Sequence, residues 1–340
     1  MSKAEVSEGR QTAGARPRRP RDSSLITHHS SLGFLAVALL ALLALPNVTS
    51  TYILVFLIGL FYQVVLAASY DLVGGYMGYI NLGHAAFFGL GAYAFAIGTT
   101  RGLPVAPAIA LAVVAAVGLA AIVSYPLFRL RGVYFSIAAF GLVVLMRQLA
   151  LNLGGLTNGV AGMSIPAQYD PRLTYYLTLA LAVAALATNF AISRSRLGLA
   201  LVCIRDDEDV ADGTGVDVFR YKLTALAISA AYAGAIGAVF AWFLIFINPD
   251  SVLGLEIALL PVVMAMVGGS GTVAGPLLGA AFVLVLQEVL WTNLEAFRTH
   301  LHLATYGVVL ALVGLLMPSG FANTRPLRGV LKRIGLWGYG

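Results

Sequence analysis

One cysteine, few charges and no nucleotide loop set the first limits on this chain. Cys203 stands alone among 340 residues, which excludes an intrachain disulfide framework and any cysteine-based metal set. Charged residues make up 11% of the chain, against roughly 25% in soluble domains. No G-x-x-x-x-G-K-[ST] sequence occurs, so the chain has no P-loop for ATP and no cofactor is expected in it. Any ATP-driven step would need the nucleotide and its magnesium in a partner chain.

What is present is apolar. Hydrophobic residues are 59% of the chain and the mean hydropathy is +0.88. They fall in runs of about 17–25 residues, enough to cross a hydrocarbon core. A soluble helical core is excluded because its helices would keep a polar face. A β-barrel is excluded because the runs are continuous rather than alternating. The fold class is an all-α polytopic membrane protein with about ten transmembrane helices. The expected spans are 32–46, 51–70, 81–98, 104–126, 133–152, 173–192, 223–247, 255–268, 272–291 and 302–317.

Residues 1–31 read as a disordered, basic cytoplasmic tail, 32–318 as the membrane domain and 319–340 as a second cytoplasmic tail. The tail with 32–46 also fits a signal peptide, but the spans that follow make an uncleaved first helix simpler. Ten spans put both termini on one side, and the basic residues test that arrangement. Seventeen of the 21 lie in segments assigned inside, three outside (Arg101, Arg172, Arg298), and Arg147 lies within a span. The net charge of +6 therefore marks sidedness in a membrane and does not suggest nucleic acid.

Inside this apolar chain lies a hydrophilic island, 193–222, with five basic and six acidic residues. A simple return loop would need only a few residues. Arg205, Asp206, Asp207 and Glu208, followed by Val210 and Val216, read as a short amphipathic helix whose acidic start suits the helix dipole. Apolar residues interleaved with charge favour docking on a cytoplasmic partner over a solvated linker.

Two glycine-rich runs occupy corresponding halves: 73–93, containing Asn81, Gly83 and His84, and 267–280, containing Gly268, Gly269, Gly271 and Gly275. Both begin Val-Gly-Gly. Paired broken segments point to an inverted repeat and a transport pathway near the midplane; glycine that merely allows close helix packing is the competing explanation. Leucine at Gly83 or Gly275 is expected to block transport without preventing insertion. His84 fits either an interhelical hydrogen bond or a pathway lining. Arg147 costs about 2.5–3.5 kcal/mol at mid-membrane on insertion scales, so it needs a partner, a wet cavity or the interface. Glu256 and Glu288 face the same requirement. Ser270, in a Gly-x-Ser-Gly setting, has no histidine at its own end of the membrane among His300 and His302, which excludes a serine protease. Gly89-x-Gly91-x-x-Ala94 lies in an apolar run with no soluble strand before it and is not a dinucleotide fingerprint.

Four ordered motifs then carry a resemblance. They are Asn81-Leu82-Gly83-His84-Ala85-Ala86-Phe87-Phe88-Gly89, Arg131-Gly132-x-Tyr134-Phe135, Gly198-x-Ala200-Leu201-x-x-Ile204-Arg205-Asp206-Asp207-Glu208 with Arg220-Tyr221-Lys222, and Gly268-Gly269-x-Gly271-x-x-x-Gly275-Pro276. Over about residues 50–318 the chain resembles the longer inner-membrane permease of branched-chain amino-acid ABC transporters. The resemblance implies a bacterial plasma-membrane importer working by alternating access. Its partners would be a second permease, two cytoplasmic ATPases and an external substrate-binding protein, and 193–222 would couple it to an ATPase. Departures bear on the substrate. Val144 stands where the family has Glu, so Arg147 lacks that carboxylate; Leu199 replaces Arg, and 157–162 is a reduced form of a family loop. Few charges in the membrane body suit a small neutral or zwitterionic solute. Branched-chain amino acids come first, urea or short amides second, and an autonomous secondary transporter is the alternative class.

Overall fold

The computed structural model describes residues 37, 40–293, 308 and 320–323. The tail 1–31, the start of the 32–46 span, the 302–317 span apart from residue 308, and the chain beyond residue 323 lie outside the described residues.

Long helices dominate. α1 (Thr51–Asp71) runs on through a five-residue π turn, Leu72–Tyr76. α2 (His84–Thr100), α3 (Val105–Leu127), α4 (Val133–Asn152) and α5 (Pro171–Ser193) follow. Two short helices, α6 (Arg196–Asp206) and α7 (Glu208–Gly213), lead into α8 (Val218–Leu244). α9 (Pro249–Leu253), α10 (Leu255–Gly268) and α11 (Gly275–Asn293) complete the bundle. Six helices among the described residues are long and apolar enough to cross a membrane: α1 with its π turn, α3, α4, α5, α8 and the continuous pair α9–α10. α2, with 17 residues, and the apolar part of α11 are shorter.

Sequence chemistry sets the helix ends. Asp170 accepts the Arg172 amide and Pro171 occupies the first helical position of α5. Asn248 and Ser251 form a reciprocal capping box around Pro249 at the start of α9. α8 stops at Ile245, which takes a left-handed conformation with φ of 63°. That is costly for a β-branched residue. The chain beyond it is held by a two-residue antiparallel ribbon, β1 (Met163–Ser164) against β2 (Phe246–Ile247), and by the Ile165 amide on the Ile245 carbonyl.

α8 is the hub, packed against α2, α3 and α1. Small residues let it approach at backbone distance. A methyl on Gly234 would sit 2.6 Å from the Ala116 Cβ of α3, and one on Gly237 would overlap the Phe88 carbonyl of α2. Ala108, Ala112, Ala116 and Ala120 form the matching stripe on α3, every fourth residue and all fully buried. Lipid provides no hydrophobic drive between helices, so close packing of this kind supplies the association. α1 and α11 are additionally bridged by Gln63 Nε2 donating to Gln287 Oε1 at 2.8 Å.

Candidate coupling site

Three polar caps divide the hydrophilic island. Ser195 accepts the Gly198 amide at the start of α6, Asp207 accepts the Asp209 and Val210 amides at the start of α7, and Asp217 accepts the Arg220 amide at the start of α8. Caps satisfy the free amides of a first turn. The expected single amphipathic helix from Ile204 onward is thus two helices, broken at Asp207 because that side chain turns back on the next amides. Arg220, Tyr221 and Lys222 belong to the first turns of α8, although the span was expected from residue 223.

Lys222 is 1% exposed, and an ammonium so enclosed needs a counter-charge. Glu208 supplies it, with its Oε2 2.7 Å from Lys222 Nζ. Tyr79, in the loop between α1 and α2, donates its hydroxyl to the same oxygen at 2.5 Å and accepts from Lys222 at 2.8 Å. Lys222 also lies over the Tyr79 ring, 4.5 Å from its centroid. Arg131, from the α3–α4 turn, sits 3.7 Å from Glu208 and grips Asp209 through two hydrogen bonds of 2.8 and 3.0 Å. Burial alone would raise the Glu208 carboxyl, but hydrogen bonds from Lys222 and Tyr79 and the charges of Lys222 and Arg131 bring it below its ordinary value. The Arg131 hydrogen bonds and charge likewise lower Asp209, and burial beside Glu208 raises the Tyr79 phenol. Four segments distant in sequence are locked at one end of the bundle. A cleft of about 250 Å³ opens beside the lock, between Phe128, Phe219, Arg131 and Asp212.

Arg205 extends the connection inward. Its Nη1 donates to the Gly75 carbonyl at 3.2 Å, in the π turn that ends α1. One turn back, fully buried Asp71 accepts the Gly271 amide at 2.9 Å. The two glycine-rich runs therefore touch: a methyl on Gly75 would collide with both Asp71 and the Gly271 nitrogen. The first run spans the end of α1, a loop and the start of α2. The second forms the turn between α10 and α11.

The sequence candidates take the following places. Asn81 is buried, its Oδ1 accepting the Gly83 amide at 3.1 Å. Gly83 is pressed against α4, where a methyl would meet the Ala139 carbonyl at 2.9 Å. His84 is fully buried and shares a 3.1 Å hydrogen bond with Ser69 of α1. Gly268 and Gly275 face each other across the α10–α11 turn with no room for a methyl on either, and Gly269 and Gly271 adopt positive φ of 110° and 74°. Asp206 is exposed and lies 3.7 Å from Arg205. Val210 is 61% exposed, whereas Val216 packs half-buried on the bundle's own core.

Arg147 does have a carboxylate. Its Nε and Nη2 both reach Asp250 Oδ1, at 3.0 and 2.5 Å. The expectation that Val144 leaves Arg147 without its acid is corrected, because the acid comes from α9, 103 residues on. Glu288 accepts the Tyr52 hydroxyl at 2.8 Å. Sequence reasoning missed Asp71 and Tyr79 as site residues and placed Arg131 and Lys222 only in motifs. The usable signal was a lysine in the first turns of a span, a position that demands a partner.

Fold and site define a polytopic helical membrane protein whose hydrophilic loop helices are ion-paired to the turns of its bundle. The profile of the family described as "Branched-chain amino acid transport system / permease component" matches residues 52–316, and the chain belongs to that family. It is similar to the high-affinity branched-chain amino acid transport system permease protein LivM of Escherichia coli strain K12, 30% identical over 265 residues, and to that of Salmonella typhimurium strain LT2, 29% identical over 259 residues. Each alignment covers 67% of this chain and 61% of the relative, so the chain spans about three-fifths of the length of these curated relatives. A shorter likeness, 29% over 140 residues and 40% of each chain, is to the autoinducer 2 import system permease protein LsrC of Klebsiella pneumoniae. No solved structure matches the chain.

Proposed function

We propose that this chain is a permease subunit of an ABC importer in the bacterial plasma membrane and that it carries branched-chain amino acids inward by alternating access. The observation that carries the reading is the lock of Glu208, Lys222, Tyr79 and Arg131. It joins the loop helices to the turn after α1 and to the hub helix, which is the linkage an external motor would need. The motor is a pair of cytoplasmic ATPases holding ATP and magnesium. α7 and the adjoining cleft form the docking face, with Val210 and Phe219 as apolar contacts and Asp206, Asp207 and Asp212 at the rim. A second permease completes the path and an external binding protein delivers the solute. The locked end and both termini face the cytoplasm, in keeping with the basic-residue asymmetry. The glycine turns form the moving joint: Arg205 pulls on the Gly75 carbonyl, and Asp71 passes the displacement to Gly271. Their correspondence in the two halves supports an inverted repeat.

The test is uptake of labelled leucine and of urea by cells with and without the chain, together with co-purification of an ATPase. Leucine uptake that depends on the chain, and an ATPase recovered with it, is expected; uptake of urea alone overturns the substrate, and uptake by the chain without any ATPase overturns the class. Exposed Cys203 on α6 should react with a membrane-impermeant thiol reagent only after the cells are opened; labelling in intact cells reverses the orientation.

A further inference from the structure

The end of the bundle opposite the lock carries a charge pair that packing does not require. Arg147 on α4 and Asp250 on α9 keep 42% and 75% of their side chains exposed. Both hydrogen bonds between them fall on Asp250 Oδ1, so Asp250 Oδ2 and the Arg147 Nη1 take no part in the pair. Around them α4 shows an open apolar face, including Val144, Leu145 and Leu149. Charges inside a span are found facing a wet cavity or protein, not lipid. Tyr93 belongs to α2, a helix on which α9 also packs. It is 4% exposed, its hydroxyl has no hydrogen-bond partner, and it lies within electrostatic range of Asp250. Buried hydroxyls are ordinarily hydrogen-bonded, so this one can still take a partner. α9 is fixed against both α2 and α4, and its start is pinned by the Asn248–Ser251 capping box, so the carboxylate is rigidly presented.

The two charges, one hydrogen bond apart, mirror the head of an α-amino acid. A zwitterion can exchange with the resident pair without leaving a net charge: its carboxylate takes the guanidinium fork and its ammonium takes the Asp250 carboxylate. An uncharged solute offers neither. We propose that Arg147 and Asp250 form an entry clamp for the zwitterionic head of the transported amino acid, with the Tyr93 hydroxyl as a third contact once the pair opens. This rests on the reading of the chain as an amino-acid permease, and it assigns substrate recognition to the permease as well as to the delivering protein.

The experiment uses the complete transporter in proteoliposomes, with its ATPases and binding protein, and reads leucine uptake, urea uptake, ATP hydrolysis and the amount of assembled complex. Arg147→Gln, Asp250→Asn and the exchanged pair Arg147→Asp with Asp250→Arg are each expected to lower leucine uptake at least about tenfold, while assembly and ATP hydrolysis without solute stay within about twofold of wild type. Arg147→Lys keeps the charge but not the fork and is expected to raise KM with a smaller change in kcat. Recovery of wild-type uptake by the exchanged pair overturns the clamp, because it makes the pair a structural bridge. Wild-type uptake by either single variant does the same. Should Arg147→Gln fail to assemble, an unchanged KM in Arg147→Lys overturns the proposal. A wild-type transporter that moves urea and not leucine removes both the substrate reading and the clamp, whereas leucine uptake insensitive to these substitutions removes the clamp alone.

Discussion

α8 and α4 are both long apolar helices, yet 61% of the apolar window of α8 is buried against 28% for α4. The difference is written in their small residues. On α8, Gly234 and Gly237 are filled by neighbouring backbone; on α4, a methyl at Gly141 would meet nothing within 4 Å. Glycine therefore means different things in two helices of similar composition. In α8 it permits contact between helices, and in α4 it lies on a surface left open by this chain. The open surface is also where the half-exposed Arg147–Asp250 pair sits, and the closed one is continuous with the fully enclosed Lys222. One helix is scaffold and the other carries a face that this chain leaves open.

The contrast breaks most severely at the glycine turns. Gly75→Ala drives a methyl into the Gly271 backbone, and Gly275→Leu drives a larger group into the Gly269 carbonyl. Overpacking costs about 1–3 kcal/mol where neighbours can yield, and backbone yields less than side chains. Both variants should still insert but show a large drop in the Tm of the detergent-purified protein, whereas Gly141→Ala should be indistinguishable from wild type. Equal losses in the two sets would erase the distinction between packed and open faces. Gly83→Leu tests the same point against the Ala139 carbonyl of α4.

A finer test compares the two partners of the lock. Glu208→Gln leaves the enclosed Lys222 ammonium without its counter-charge, at a cost of about 3 kcal/mol. Lys222→Met leaves Glu208 still hydrogen-bonded by Tyr79 and close to Arg131. Thermal unfolding should therefore rank Glu208→Gln as the more damaging. The reverse order would mean that Lys222 is solvated in the working protein.

Six of the expected spans, the hydrophilic island and the glycine runs were legible in the sequence because each is a local property of composition or period. The 133–152 and 255–268 spans coincide with α4 and α10, and the other spans within the described residues shift by up to about six residues where caps or turns intervene. The lock and the Arg147–Asp250 pair were not legible. Tyr79 and Glu208 lie 129 residues apart, and Arg147 and Asp250 lie 103 apart. Nothing in local periodicity selects one carboxylate over another at such separations. The break at Asp207 was hidden for a different reason: a charged run fits a helix start and a helix surface equally well, and only the backbone shows which amides the side chain caps.

The smallest expected effect concerns pH. The Glu208 carboxyl is held below its ordinary value in the folded state, so it stabilises the lock above that value and loses the contribution only as pH falls through the depressed one. Limited pepsin digestion from about pH 5 to about pH 2 should thus open the α6–α7 segment at lower pH than an ordinary carboxylate would allow. Opening at or above the ordinary range would show that Glu208 is unpaired in solution.

The 27 residues of α8 form one unbroken rod. At 1.5 Å per residue it is about 40 Å long, with Lys222 near one tip and Asp250 a few residues beyond the other. Such a rod acts as a lever: tilting it by about 10° about its centre swings the two tips roughly 3–4 Å in opposite directions. Motion of the loop helices at one face would thus reach the opposite face of α8 through geometry alone, with no chain of rearranging side chains between them.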